Sequence, residues 1–302
     1  MFVTRTFYIG LRRVSLSASA RRFAALALAA AAVIGCAGPA ASAAGLNEAV
    51  VRIPGPDGRT LMATWYRPNG GGPFPLIVLS HGSPADPAAR PAMDRYRILT
   101  PIGAFVARGY AVLLPMRRGF GATGGSFAEG YGTCGNPDYA RAGLEAAKDI
   151  LAAMKYAQAQ PFVRADRVLL AGQSVGGFAS VAAASLQPQG LVGIVNFAGG
   201  SGGNPAKTPG EPCKPERIAQ AYAGWAGSIR VPVLWHYAQN DQFFAPHHVK
   251  NWYSAFVQAG GKGRLVMQPP FGRDGHGLFP STDGVRLWAP EFDRFVAENG
   301  IR

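Results

Sequence analysis

Val168-Leu169-Leu170-Ala171-Gly172-Gln173-Ser174-Val175-Gly176-Gly177 joins a four-residue apolar run to a Gly-x-Ser-x-Gly pentapeptide, and an alanine-rich stretch continues to Leu186. The pentapeptide alone recurs by chance in a chain with 40 glycines. Its place between a strand signal and a helix signal makes it informative. The turn is so tight there that side chains two residues either side of the serine would meet backbone unless both positions are Gly. Such a turn lifts the Ser174 hydroxyl above the sheet edge. It also aims the first N–H groups of the next helix at that hydroxyl, where they can stabilise developing negative charge.

Outward from this turn, the chain alternates. Pro75-Leu76-Ile77-Val78-Leu79, Ala111-Val112-Leu113-Leu114, Leu191-Val192-Gly193-Ile194-Val195, Val231-Pro232-Val233-Leu234-Trp235 and Arg264-Leu265-Val266-Met267 are further short apolar runs. Continuous runs imply strands covered on both faces. Helical patterns lie between them at 98–108, 141–159, 175–186, 247–259 and 285–298. Ahead of them, Val50–Ile53 and Thr60–Tyr66 flank Pro54-Gly55-Pro56-Asp57-Gly58, which predicts an antiparallel hairpin. Strands alternating with helices predict an α/β fold: a mostly parallel twisted sheet of about eight strands, with that N-terminal hairpin and helices on both faces. One domain over residues 44–302 accounts for all of it. Ligands of such sheets bind outside the C-terminal strand ends, so the loops at 80–94, 115–136, 198–230 and 238–246 are the expected site. The longest, 198–230, stands where lids are inserted and is too short for a cap domain.

A serine hydroxyl is a poor nucleophile without a base in reach and a carboxylate to orient that base. Of the five histidines, His276 lies in Phe271-Gly272-Arg273-Asp274-Gly275-His276-Gly277, a glycine-flanked loop after the last strand, and is the expected general base. Asp241, in Ala238-Gln239-Asn240-Asp241 after the Val231 strand, is the expected carboxylate, with Asp274 and Asp283 as rivals. The oxyanion donors would be the backbone N–H groups of Val175 and of Ser83, the latter presented by Ser80-His81-Gly82-Ser83. His81 either braces that loop or faces substrate. Phe243 and Phe244 are candidates for an acyl pocket, or simply core.

These residues resemble the α/β-hydrolase superfamily, and within it the dienelactone-hydrolase-like and prolyl-oligopeptidase-like branches. The resemblance covers most of residues 48–300. It rests on Leu79-Ser80-His81-Gly82, Gly109-Tyr110-Ala111-Val112-Leu113-Leu114-Pro115, Arg118-Gly119-Phe120-Gly121, Gly172-Gln173-Ser174-Val175-Gly176-Gly177, Asn240-Asp241 and Gly275-His276. It implies hydrolysis of a small-molecule carboxylic ester or amide through an acyl-enzyme, without cofactor or metal. The chain departs from dienelactone hydrolases in having a serine where they place a cysteine nucleophile, and it lacks the β-propeller of prolyl oligopeptidases. A secreted serine peptidase or acyl-peptidase would use the same triad, and a non-catalytic binding protein could share the fold.

Residues 1–43 differ from the rest. Five arginines and no acid precede the apolar run 23–35, and Ala41-Ser42-Ala43 follows, the order of a signal peptide. Val33-Ile34-Gly35-Cys36 reads alternatively as a lipobox, which would acylate Cys36 and attach the protein to a membrane; Arg21-Arg22-Phe23 resembles a twin-arginine signal. An uncleaved anchor is the third possibility, although Ala and Pro39 make a poor span. The full chain of 302 residues carries 30 basic and 17 acidic residues. Without the leader's five arginines, the remaining 25 basic and 17 acidic residues leave a net charge of +8. No basic stripe interleaved with aromatics suggests nucleic acid. Export to the periplasm or medium leaves Cys134 and Cys213 in an oxidising compartment, where a disulfide is expected between their loops.

Overall fold

The computed structural model describes residues 46–301. The leader, Cys36 and the proposed cleavage sites lie outside the described residues. The elements run β1 (Ala49–Pro54), β2 (Thr60–Tyr66), β3 (Phe74–Ser80), α1 (Leu99–Ala107), β4 (Ala111–Pro115), β5 (Gly132–Thr133), β6 (Asn136–Pro137), α2 (Tyr139–Gln158), β7 (Val163–Gln173) and α3 (Val175–Ser185). Then come β8 (Leu191–Phe197), α4 (Pro215–Ala226), β9 (Val233–Ala238), α5 (Pro246–Gln258), β10 (Gly263–Gln268) and α6 (Thr282–Glu298).

Eight strands form one sheet in the order β1-β2-β4-β3-β7-β8-β9-β10, and β5-β6 form a separate small ribbon. The pairs β1–β2 and β2–β4 are antiparallel and every other pair in the sheet is parallel. Successive side chains of the central strands enter opposite layers. Leu76, Val78, Val168 and Leu170 join a core with α2, α3, α4 and α5. Ile77, Leu79, Leu169 and Ala171 join a second core with α1 and α6. Burial on both faces explains why these strands read as unbroken apolar runs instead of alternating ones.

Two expectations change. Strand β9 starts at Val233 instead of Val231, because Pro232 has no N–H to give the ladder. The 198–230 segment is not all loop. Residues 215–226 form α4, which buries Ile218, Ala221, Tyr222 and Trp225, a 3.6-residue stripe against α5 and the sheet. Only 198–214 remains free to shape a site.

Candidate active site

The turn at Ser174 is built by exclusion. Ser174 adopts φ 56° and ψ −126°, outside the regions that L residues prefer, and it is held there by its surroundings. A Cβ on Gly172 would lie 2.3 Å from the Gly176 carbonyl, and one on Gly176 would lie 2.2 Å from the Ser80 carbonyl oxygen. Helix α3 can start directly after Ser174 only because these positions lack side chains. A Cβ on Gly82 would stand 3.3 Å from that of Ser174, so the β3 loop passes beside the serine.

Asp241 and His276 are brought together. His276 Nδ1 donates to Asp241 Oδ2 at 2.9 Å, and the carboxylate is fully buried. Asp241 Oδ1 also accepts the Phe243 and Phe244 N–H groups at 2.8 and 3.0 Å, so backbone and imidazole together immobilise it. With Nδ1 as the donor, the Nε2 lone pair is left for a proton. The rival Asp274 turns away from the ring. Its Oδ1 accepts the backbone N–H groups of His276 and Gln242, each at 2.9 Å, and so ties the two loops together. Asp283 lies in the first turn of α6. Ser174 Oγ and His276 Nε2 are not hydrogen-bonded to each other; such contacts commonly close only around substrate.

A cavity of about 870 Å³ opens beside Ser174, and Ser83, Val175, Phe243 and Phe244 line it, as do both Cys134 and Cys213. Phe243 also stacks on the His276 ring at 4.1 Å between centroids. The two cysteines form a disulfide, joining the 115–136 loop to the 198–214 loop across the cavity rim.

His81 is corrected as a substrate-facing residue. It is wholly buried, its Nε2 accepts the Arg117 N–H at 3.1 Å and its Nδ1 donates to the Gly82 carbonyl at 2.6 Å. Burial, with the Arg117 charge adding to it, lowers its pKa well below the usual histidine value. A neutral ring with these two bonds is a brace.

Three positioning residues escaped the sequence reading. Gln173 accepts from Tyr96 Oη at 2.6 Å and donates to the His276 carbonyl at 2.9 Å, linking the turn to the histidine loop. Buried Arg117 donates to Ser80 Oγ, to the His81 carbonyl and to both oxygens of buried Glu129. Arg118 pairs with buried Asp149 at 2.8 Å. The Arg-Arg doublet, which in sequence is only a local excess of charge, is an internal fastener; its signal was its place directly after an apolar strand.

Residues 57–208 match the family model of the X-Pro dipeptidyl-peptidases (S15 family). The chain belongs to that family. This S15 chain is a hydrolase of the serine-hydrolase type with the α/β-hydrolase fold. No match was found among the curated proteins. Solved structures similar to it include the Pyrococcus horikoshii acylaminoacyl peptidase, 17% identical with a TM-score of 0.61, over 84% of this chain and 42% of that one. A Mycobacterium tuberculosis puromycin-hydrolyzing peptidase is also 17% identical, with a TM-score of 0.60 over 85% of this chain and 40% of that one. The Pyrococcus furiosus esterase Pf2001 is 16% identical, with a TM-score of 0.58 over 84% of this chain and 91% of that one. This S15 chain therefore spans about two fifths of the two peptidases and most of the esterase. At these identities the likeness is one of fold.

Proposed function

We propose that this chain hydrolyses carboxylic esters through an acyl-enzyme on Ser174. The observation that carries the reading is the buried Asp241–His276 hydrogen bond, held in a loop that Gln173 ties to the strained Ser174 turn. Ser174 Oγ attacks the ester carbonyl while His276 Nε2 takes its proton, and the imidazolium that forms is stabilised by Asp241. The N–H groups of Val175 and Ser83 hold the oxyanion. Collapse breaks the bond to the alkoxy oxygen, which leaves with the proton from His276. Water, activated by the same imidazole, then releases the acid and restores the serine.

The family match favours a second reading, cleavage of peptides or acyl-peptides by the same groups. One observation favours esters: Glu129, the one acid among the described residues that line the cavity, is already engaged by Arg117 and cannot receive a substrate's free amine.

The test is labelling with a fluorophosphonate, followed by turnover of short 4-nitrophenyl esters and of peptide 4-nitroanilides. Ser174→Ala should remove labelling and reduce ester turnover by about 10⁶-fold while the circular dichroism spectrum stays native. Ester turnover that persists in the variant would sink the assignment.

We infer also that the protein is exported, on the leader composition and on the Cys134–Cys213 disulfide, which suits an oxidising compartment. Mass determination of the mature N-terminus separates cleavage after Ala43 from lipidation at Cys36.

A further inference from the structure

The charge lining the Ser174 cavity is one-sided. Arg90, Arg141 and Lys207 line it, and Glu129 is the acid among them. Glu129 is held bidentately by buried Arg117, at 2.6 and 2.9 Å, so its charge is already met inside the protein. Arg141 donates to the Gly130 carbonyl and stands 3.9 Å from Asp138. Among the described residues, neither Arg90 nor Lys207 is paired with a carboxylate.

Arg90 is the informative cation. Its guanidinium lies over the Phe127 ring, 3.8 Å from the centroid, and its Nε donates to Ser83 Oγ at 3.3 Å. Its two terminal nitrogens make no hydrogen bond among the described residues. Burial lowers its pKa, more than the nearby Glu129, Tyr131 and Asp86 raise it, so desolvation outweighs local compensation. The group nonetheless stays charged at any working pH. An arginine oriented by stacking and through Nε, with its outer fork open, has the geometry that grips a carboxylate with two parallel bonds. The fork is placed beside the chemistry, because Ser83 follows Gly82 and Gly82 passes against Ser174.

We propose that the site selects anionic substrates: esters that carry a second, free carboxylate, which seats on the Arg90 fork while Lys207 at the rim adds attraction through solvent. The proposal rests on the Ser174 hydrolase reading and narrows it. It also separates this chain from substrates with a free amino terminus, since a cation entering the cavity meets like charge without an unengaged acid to receive it.

The experiment compares kcat/KM for the mono-4-nitrophenyl ester of glutaric acid with that for 4-nitrophenyl butanoate. In 20 mM salt the wild-type protein should favour the anionic ester by about tenfold or more, as expected of a charge-assisted bidentate contact. Arg90→Gln should reduce that preference about tenfold, mainly through KM. Lys207→Gln, at an exposed position, should reduce it less, and 0.5 M NaCl should remove most of the Lys207 share. A parallel arm with 4-acetoxybenzoate, whose carboxylate lies on the leaving group, tells on which side of the ester the fork acts; a preference for either anionic ester supports the proposal. Equal or lower turnover of both anionic esters than of their neutral counterparts, an Arg90→Gln preference equal to wild type, or faster cleavage of alanyl-proline 4-nitroanilide than of any ester would overturn it.

Calorimetric titration with glutarate reads the subsite without catalysis. Binding that Arg90→Gln weakens supports the fork, and no binding to the wild-type protein refutes it. Failure of the underlying reading has a different signature, namely that neither ester is turned over and Ser174 is not labelled.

Discussion

At the floor of the cavity, residues 172–177 hold Ser174 by backbone packed against backbone, with Gly172 and Gly176 admitting carbonyls at distances no side chain tolerates. At the rim, 127–134 and 201–213 are held by side chains far apart in sequence: the Cys134–Cys213 disulfide, the Arg117–Glu129 pair, and Tyr139 Oη donating to the Cys213 carbonyl at 2.7 Å. The floor is a steric device with one solution. The rim is a set of ties, each removable. The contrast separates two kinds of support: on the proposed reading, the floor positions the nucleophile and the rim decides what reaches it.

Breaking the floor should have the largest effect. Gly176→Ala sets a methyl against the Ser80 and His81 carbonyls and should abolish activity. Residual fluorophosphonate labelling above about one per cent of wild type would show the turn to be more compliant than its packing implies. The Arg117–Glu129 pair spans floor and rim, since Arg117 also holds the Ser80 and His81 end of β3. Glu129→Gln leaves a buried guanidinium without its counter-ion and should cost about 3–5 kcal/mol in urea unfolding.

At the rim alone, Cys134→Ser with Cys213→Ser frees a link between residues 79 apart in sequence. On the chain-entropy view this costs about 2–4 kcal/mol. Ester kcat should change less than threefold while KM shifts; a collapse of kcat would mean the rim also positions the nucleophile.

The smallest expected effect is on acid stability. His236 is buried near Arg264, and burial first, then that charge, lowers its pKa from 6.5 to about 4. Between those values the unfolded chain binds the proton and the folded protein does not, so stability falls as pH drops from about 6.5 to about 4. Glu48, held down to about 2 chiefly by its bond to Arg97, adds a second loss as pH falls below about 4.5. His236→Gln should flatten the first window, measurable as thermal midpoint against pH, and leave the second in place.

The sequence by itself determined the sheet and the turn, because each rests on local rules. Apolar runs without alternation mean two-sided burial, and a glycine on each side of a serine after such a run means a turn that nothing larger can enter. It also nominated Asp241 and His276, since a site at the strand ends leaves few loops to search, and the structure brings these two side chains into contact. Helix α4 was missed: the spacing of Ile218, Tyr222 and Trp225 is helical, but the Gly- and Pro-rich flanks made the whole of 198–230 read as loop.

What only the tertiary structure decided is which polar residues face inward to brace and which face the cavity. His81 reads as a possible site residue in the chain and Arg117 only as surface charge, yet both are fasteners in the fold, while Arg90, set among prolines and alanines, opens its fork beside Ser83. The reason is physical. A charged or imidazole side chain has the same local pattern whether its partner is a buried carboxylate, a backbone carbonyl or a substrate, and that partner comes from a loop tens of residues away.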